Sequence, residues 1–151
     1  MKSKQEILKI LLDTPFILPT LGIDAGKEVM QCLKKLADIK SEIYVSRFSI
    51  LESLWVITRL IRAADLNTEH FKMGLRSILE SGRYKKIEEN SEIFNEALRL
   101  YKLGHKDMID NILYASSIQL NLKLLTLDNE LKEFIYEKRL NDTLIFPNQI
   151  A

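Results

Sequence analysis

The chain has 151 residues, 46% hydrophobic and 28% charged, with 22 Lys+Arg against 21 Asp+Glu for a formal net charge of +1. That length and apolar fraction predict one globular domain over residues 1 to 151 and exclude a disordered chain, while near-neutrality excludes a protein that grips nucleic acid by bulk charge alone. Cys32 is the only cysteine, which rules out an intrachain disulfide and a paired-thiolate zinc site. No apolar run reaches the ~18 residues of a membrane helix, so no membrane association and a cytoplasmic location are expected.

In chain order, Ile7-Leu8-Lys9-Ile10-Leu11-Leu12 is a short apolar run stopped by Asp13-Thr14-Pro15, the pattern of a strand buried on both faces. Residues 24 to 38 follow as an amphipathic helix with Asp24 as its cap and Val29, Leu33 and Leu36 on one face. Ile43-Tyr44-Val45 is a short strand leading through Ser46 into a long helix, whose apolar face is predicted at Ile50, Leu54, Ile57 and Ile61. Helices are expected over 67–81, capped by Asn67 or Thr68, and over 91–103, starting at Ser91; Tyr84-Lys85-Lys86-Ile87 between them is ambiguous. The apolar residues Phe71, Leu75, Ile78 and Leu79 face either the core or an interface. Asp107 to Asn121 reads as a helix with a small-residue stripe, residues 123 to 127 as a buried strand, Asn129 to Leu140 as a helix and residues 143 to 146 as a last strand. Strands alternating with helices imply an α/β fold, a parallel sheet of four to five strands between two helical layers.

Four carboxylates stand out. Asp13 and Asp128 each follow a strand, the edge at which open α/β sheets bind ligands, although Asp13 also suits an Asx-turn and Asp128 a helix cap. Glu52 is the only charge in Ile50-Leu51-Glu52-Ser53-Leu54-Trp55-Val56-Ile57, where a buried carboxylate needs a cation or several donors; the alternative is a surface position paired with Arg47 or Arg59. Asp110 lies one turn into its helix, three residues after Asp107, which fits a capping box, but Ala115, Ser116 and Ser117 allow that helix to approach the sheet closely and carry Asp110 to the strand ends. Acids converging at one edge repel unless a cation offsets them, and oxygen ligands suit Mg²⁺ or Mn²⁺.

Leu11-Leu12-Asp13-Thr14, Ser46 to Glu52, Asp110-Asn111-Ile112-Leu113-Tyr114-Ala115 and Leu124-Leu125-Thr126-Leu127-Asp128, in this order, resemble the PIN-domain family, compact nucleases that include VapC-type toxins of toxin–antitoxin pairs. The interval 128 − 110 = 18 residues fits the family's helix, turn and strand. The resemblance runs from about residue 7 to about residue 146 and departs at Pro15, where many relatives carry a small hydroxyl residue. Residues 64 to 104 carry no family signature and are expected to be a variable helical section that sets substrate entry and dimer contacts.

The resemblance implies a three-layer α/β/α sandwich and a metal-dependent endoribonuclease that hydrolyses RNA by metal-activated water, as the toxin of a toxin–antitoxin pair. It assigns Asp13, Glu52, Asp110 and Asp128 as catalytic and metal-binding residues holding Mg²⁺ or Mn²⁺, with Thr126 and Thr14 in support; Asp107 is the alternative to Asp110. Expected partners are RNA, an antitoxin protein and a second copy in a homodimer. From the residues themselves, Arg83, Lys85 and Lys86 around Tyr84, with Lys102 and Lys106, are the candidate RNA contacts. His105, just before the helix of Asp107, is read as a solvated loop histidine with a phosphate contact as the alternative, and Phe48, Trp55 and Tyr114 as core. A catalytically silent module that binds RNA or protein is the competing reading, and a phosphoacceptor receiver domain ranks third.

Overall fold

The structure is a computed structural model and describes residues 6–150. Five strands, β1 (Leu8–Leu12), β2 (Ser41–Val45), β3 (Tyr84–Lys86), β4 (Lys123–Leu125) and β5 (Leu144–Ile145), form one parallel sheet in the order β3-β2-β1-β4-β5. Among the described residues six α-helices connect or cover them: α1 (Lys27–Asp38), α2 (Arg47–Arg62), α3 (Thr68–Glu80), α4 (Ser91–Leu103), α5 (Met108–Gln119) and α6 (Asn129–Glu137). The ambiguous segment at Tyr84 is thus an edge strand, paired in register with Ile43, Tyr44 and Val45. No helix among the described residues is long and apolar enough to cross a membrane.

The period-2 alternation of strand side chains divides the core into two layers. Ile10, Leu12, Val45 and Leu125 point to one face, where they meet Val29, Cys32 and Leu36 of α1, Ile57 of α2 and Ile78 of α3. Leu11, Leu124 and Leu144 point to the other, against Leu113 and Tyr114 of α5, Leu131 and Ile135 of α6 and Leu100 of α4. Burial on both faces explains why β1 reads as an almost unbroken apolar run. Phe71 and Leu75 pack against the first layer and Ile78 lies within it, so that face of α3 is core, whereas Met73 and Leu79 are exposed.

Helix α5 is buried along Asn111–Ser117, lying between α4 and the sheet. Its small residues allow this: Ser116 Oγ donates to Ile112 O (2.7 Å) and Ser117 Oγ to Tyr114 O (2.6 Å), so neither hydroxyl is left without a partner inside the protein. Helix α3 makes a comparable close approach at Gly74, where an added Cβ would lie 1.9 Å from the carbonyl oxygen of Thr20 in the 3-10 turn Leu18–Leu21.

Three sequence expectations are corrected. Helix α1 starts at Lys27 after Gly26, and Asp24 instead accepts from the Gly26 amide (2.9 Å), an Asx-turn that precedes the helix. Helix α2 does not bury Leu54 and Ile61, which is 59% exposed; its buried positions are Ser49, Ser53 and Ile57, because the small side chains let the backbone approach and Ser53 Oγ can donate to Ser49 O (2.8 Å). Trp55 is 53% exposed instead of core, whereas Tyr114 is fully buried.

Candidate metal centre

The ends of β1 and β4 at the carboxyl edge of the sheet carry Asp13, Thr126 and Asp128. Asp13 follows β1, and its backbone N–H still donates to Leu125 O (3.0 Å), which extends the pairing with β4 by one residue and holds the side chain at the edge. One carboxylate oxygen, Oδ1, accepts from the Thr14 amide (2.8 Å), and Oδ2 accepts from Thr126 Oγ1 (2.8 Å). Pro15 lies within the 3-10 turn Thr14–Phe16 that Asp13 caps, near the start, where a missing N–H costs nothing. Thr126 in turn accepts from the Asp128 amide (3.0 Å), so one buried hydroxyl links the ends of β1 and β4. Asp128 is also the cap of α6, its Oδ1 accepting from Leu131 N (3.1 Å). The structural and the site roles of Asp128 therefore coexist.

Asp110 reaches this edge from the first turn of α5. Asp107 is exposed and caps that helix by accepting from the Asp110 amide (3.1 Å), so it is Asp110 that turns inward to meet Asp128 and Asp13. Burial, followed by the charges of Asp13 and its other acidic neighbours, pushes the Asp110 carboxyl up to about 9. Asp13, only 7% exposed, is pushed up to about 6 by burial; the Thr126 and Thr14 hydrogen bonds oppose that shift, and the charges of Glu52 and Asp128 add to it. Glu52, half-buried on α2, lies near enough for its charge to act on Asp13, while Asp110 meets Asp13 and Asp128. None of the four is in an ion pair with Lys or Arg among the described residues; Arg47 pairs instead with Glu89 (3.7 Å).

Like charges gathered in a desolvated site without a basic partner are unstable until protons or a cation offset them. The carboxylate oxygens of Asp110 and Asp128, with Asp13 beside them, would suit a hard divalent ion such as Mg²⁺ or Mn²⁺. Beside Asp13 the Thr14 hydroxyl is buried with no partner.

Two residues here escaped the sequence reading. His105 is not a solvated loop residue: it is 8% exposed, and a ring nitrogen lies within 4.8 Å of carboxylate oxygens of both Asp110 and Asp128. The signal was the short Gly104-His105-Lys106-Asp107 loop, which ties the end of α4 to the cap of α5. Glu89, after β3, has a side chain only 2% exposed and accepts from Ser46 Oγ (3.0 Å) at the N-terminus of α2. Nothing in its sequence context sets it apart from Glu88.

Arg83, Lys85 and Lys86 lie on or beside the edge strand β3, two strands from Asp13. Two of the three are already engaged within the protein: Lys85 Nζ lies 3.4 Å from Glu42 Oε2, and Lys86 Nζ donates to Leu79 O. The Arg83 guanidinium sits 5.8 Å from the centre of the Tyr84 ring, and the Tyr84 hydroxyl is 3.3 Å from Thr20 Oγ1. Lys102, in the last turn of α4, and Lys106, in the loop before α5, are exposed.

A family model described as "PIN domain" matches residues 10–135. No curated protein matches the sequence. Among solved structures, the fold is similar to VapBC2 from Rickettsia felis bound to a DNA fragment from its promoter (TM-score 0.62, 16% identity, 92% of this chain and 97% of that one). It is similar to PAE2754 from Pyrobaculum aerophilum (TM-score 0.62, 16% identity, 93% and 85%) and to a toxin–antitoxin complex from Klebsiella pneumoniae (TM-score 0.57, 15% identity, 91% and 97%). With a family match over most of its length and a parallel α/β sheet shared with these structures, the chain belongs to the PIN-domain family.

Proposed function

We propose that this protein is a metal-dependent endoribonuclease acting as the toxin of a toxin–antitoxin pair, with residues 1 to 151 working as one unit. What supports the reading is the approach of Asp13, Asp110 and Asp128 at the ends of β1 and β4 and the start of α5, with the charge of Glu52 reaching Asp13 and burial and mutual repulsion raising Asp13 and Asp110. A Mg²⁺ or Mn²⁺ ion bound there would supply Lewis acidity and activate water for in-line attack on a phosphodiester.

The chain's own contribution is placement. Thr126 and the Thr14 amide hold both oxygens of Asp13, so that carboxylate is oriented before any ligand arrives. Asp128 is fixed by its capping bond and its amide bond to Thr126. Glu52 closes the site from the α2 side, and Lys102 and Lys106 offer positive charge to phosphates approaching Asp110. Arg83 is the freer member of the β3 cluster for holding the RNA chain, since Lys85 and Lys86 would have to exchange internal partners.

The antitoxin partner is supported by the similarity to toxin–antitoxin structures and by exposed Leu51, Leu54 and Trp55 next to Glu52, with Phe94, Leu98 and Tyr101 exposed on α4. Phe48 and Phe94 stack edge to face, 5.8 Å apart, and so bring the two helices together. An apolar peptide covering this face would also cover the approach to Glu52. The homodimer is proposed at family level.

The test is RNA cleavage with Mg²⁺, Mn²⁺ or chelator, on wild type and Asp110→Asn, alongside calorimetric titration of each metal. Cleavage and metal binding that both fall in the variant support the nuclease. A wild type that binds RNA but neither metal would replace the enzyme by a silent binding module.

A further inference from the structure

His105 is held before any ligand binds. Its backbone N–H donates to Leu100 O (3.1 Å), its ring packs against Phe134 with centroids 5.2 Å apart, and its carbonyl accepts from Asn111 Nδ2 (2.7 Å). That last bond orients the buried Asn111 amide, so its oxygen faces His105 Nδ1 at 2.7 Å. An amide oxygen only accepts, so Nδ1 carries the ring proton and donates, and in the neutral ring Nε2 presents a lone pair. The tautomer is therefore set by the asparagine that follows Asp110.

With Nδ1 committed to Asn111, Nε2 is the nitrogen free to serve the group formed with Asp110 and Asp128. The ring lies within 4.8 Å of these carboxylates but forms no ion pair with either, so the contact is too long for a direct charged hydrogen bond. The three ligand atoms lie within 4.8 Å of one another, a spacing that small side-chain movements would close onto one ion. A lone pair facing two acids is unfavourable unless a proton or a cation sits among them. A purely structural histidine would need only its Nδ1 bond to Asn111.

Resting on the nuclease reading above, we propose that His105 Nε2 is a further ligand of the divalent ion held by Asp110 and Asp128, and that this nitrogen biases the site toward Mn²⁺ over Mg²⁺. Imidazole adds little for Mg²⁺, which prefers oxygen, and more for first-row transition ions. The Asn111 bond is the outer support that such ligating imidazoles characteristically have.

Pulsed EPR of the Mn²⁺ complex tests this directly on the wild-type protein, with Mn²⁺ alone as the probe. A nitrogen coupling is expected that shifts when the protein is grown with ¹⁵N-histidine and survives His70→Gln, which removes the other histidine. In His105→Gln the coupling is expected to vanish and the Mn²⁺-to-Mg²⁺ affinity ratio, by calorimetry, to fall about tenfold. Mn²⁺ binding without histidine coupling in the wild type overturns the proposal and leaves the acidic site standing. An unchanged affinity ratio in a folded His105→Gln also overturns it, whereas a wild type that binds no divalent ion overturns the nuclease site and this ligand together.

Discussion

Replacing Asp110 by Asn should make the metal-free protein more stable while removing its response to metal. In the folded protein burial and neighbouring acids raise the Asp110 carboxyl from 3.8 to about 9, so between those values it keeps a proton that the unfolded chain has released. Unfolding then releases that proton, and stability falls as pH rises across the window. Each retained proton costs about 1.4 kcal/mol per pH unit, so from pH 6 to pH 8 Asp110 alone accounts for about 2.7 kcal/mol, or about 2 after discounting for residual solvent access. Asp13, raised to about 6, adds to the slope from about pH 4 to about pH 6. Asparagine keeps the shape and can donate to Asp128 as the protonated acid does, but it does not titrate.

The assay is denaturant or thermal unfolding in chelator from pH 6 to pH 8, repeated with Mn²⁺. Wild type should lose stability with rising pH, and Asp110→Asn should be flatter, so that its advantage over wild type grows by about 2 kcal/mol between pH 6 and pH 8, or about 4–8 °C for a chain of this size. Excess Mn²⁺ should raise the wild-type midpoint, by about 2.7 kcal/mol at a hundred times the dissociation constant, and leave the variant unmoved. A flat wild-type profile in chelator, or a variant whose advantage does not grow from pH 6 to pH 8, would refute the reasoning, because Asp110 would then titrate as an exposed carboxylate.

Thr126→Val removes the hydroxyl that bonds Asp13 and accepts from the Asp128 amide; it should cost about 1–3 kcal/mol and move the Asp13 midpoint above about 6, read by carboxyl NMR titration. Gly74→Ala forces α3 away from the Thr20 carbonyl and should cost about 2–3 kcal/mol in denaturant unfolding; a neutral result would show that the two segments are not in close contact. Trp55, the only tryptophan, should fluoresce nearly as in the denatured chain and be quenched freely by a soluble quencher, and its emission should shift to the blue when a partner covers α2.

The elements on either side of the site were readable because their signals are local. An apolar run such as Ile10-Leu11-Leu12 reports burial on both faces, and caps such as Asn67, Asp107 and Asp128 mark where helices start. Three of the carboxylates were legible as candidates from their local pattern, Asp13 and Asp128 after strands and Glu52 within an apolar run, whereas Asp110, which also fits a capping box, was marked by the small residues behind it. Where the reading failed, the deciding neighbour was distant. The apolar spacing in α2 pointed to Leu54 and Ile61, yet the helix buries Ser49 and Ser53, since what matters is how closely its backbone approaches the residues beneath it.

By itself, then, the sequence determined the alternation of strands and helices, the two-faced burial of the sheet and the acids at its carboxyl edge, because periodicity and capping act over a few residues. Only the tertiary structure decided that Asp110 and not Asp107 turns inward, that Thr126 ties Asp13 to Asp128, and that His105 is buried beside them under the hold of Asn111. The bond from Thr126 to Asp13 joins residues 113 apart in the chain. Contacts of that range exist only once the strands have been placed side by side, and the charge and burial of each acid depend on them.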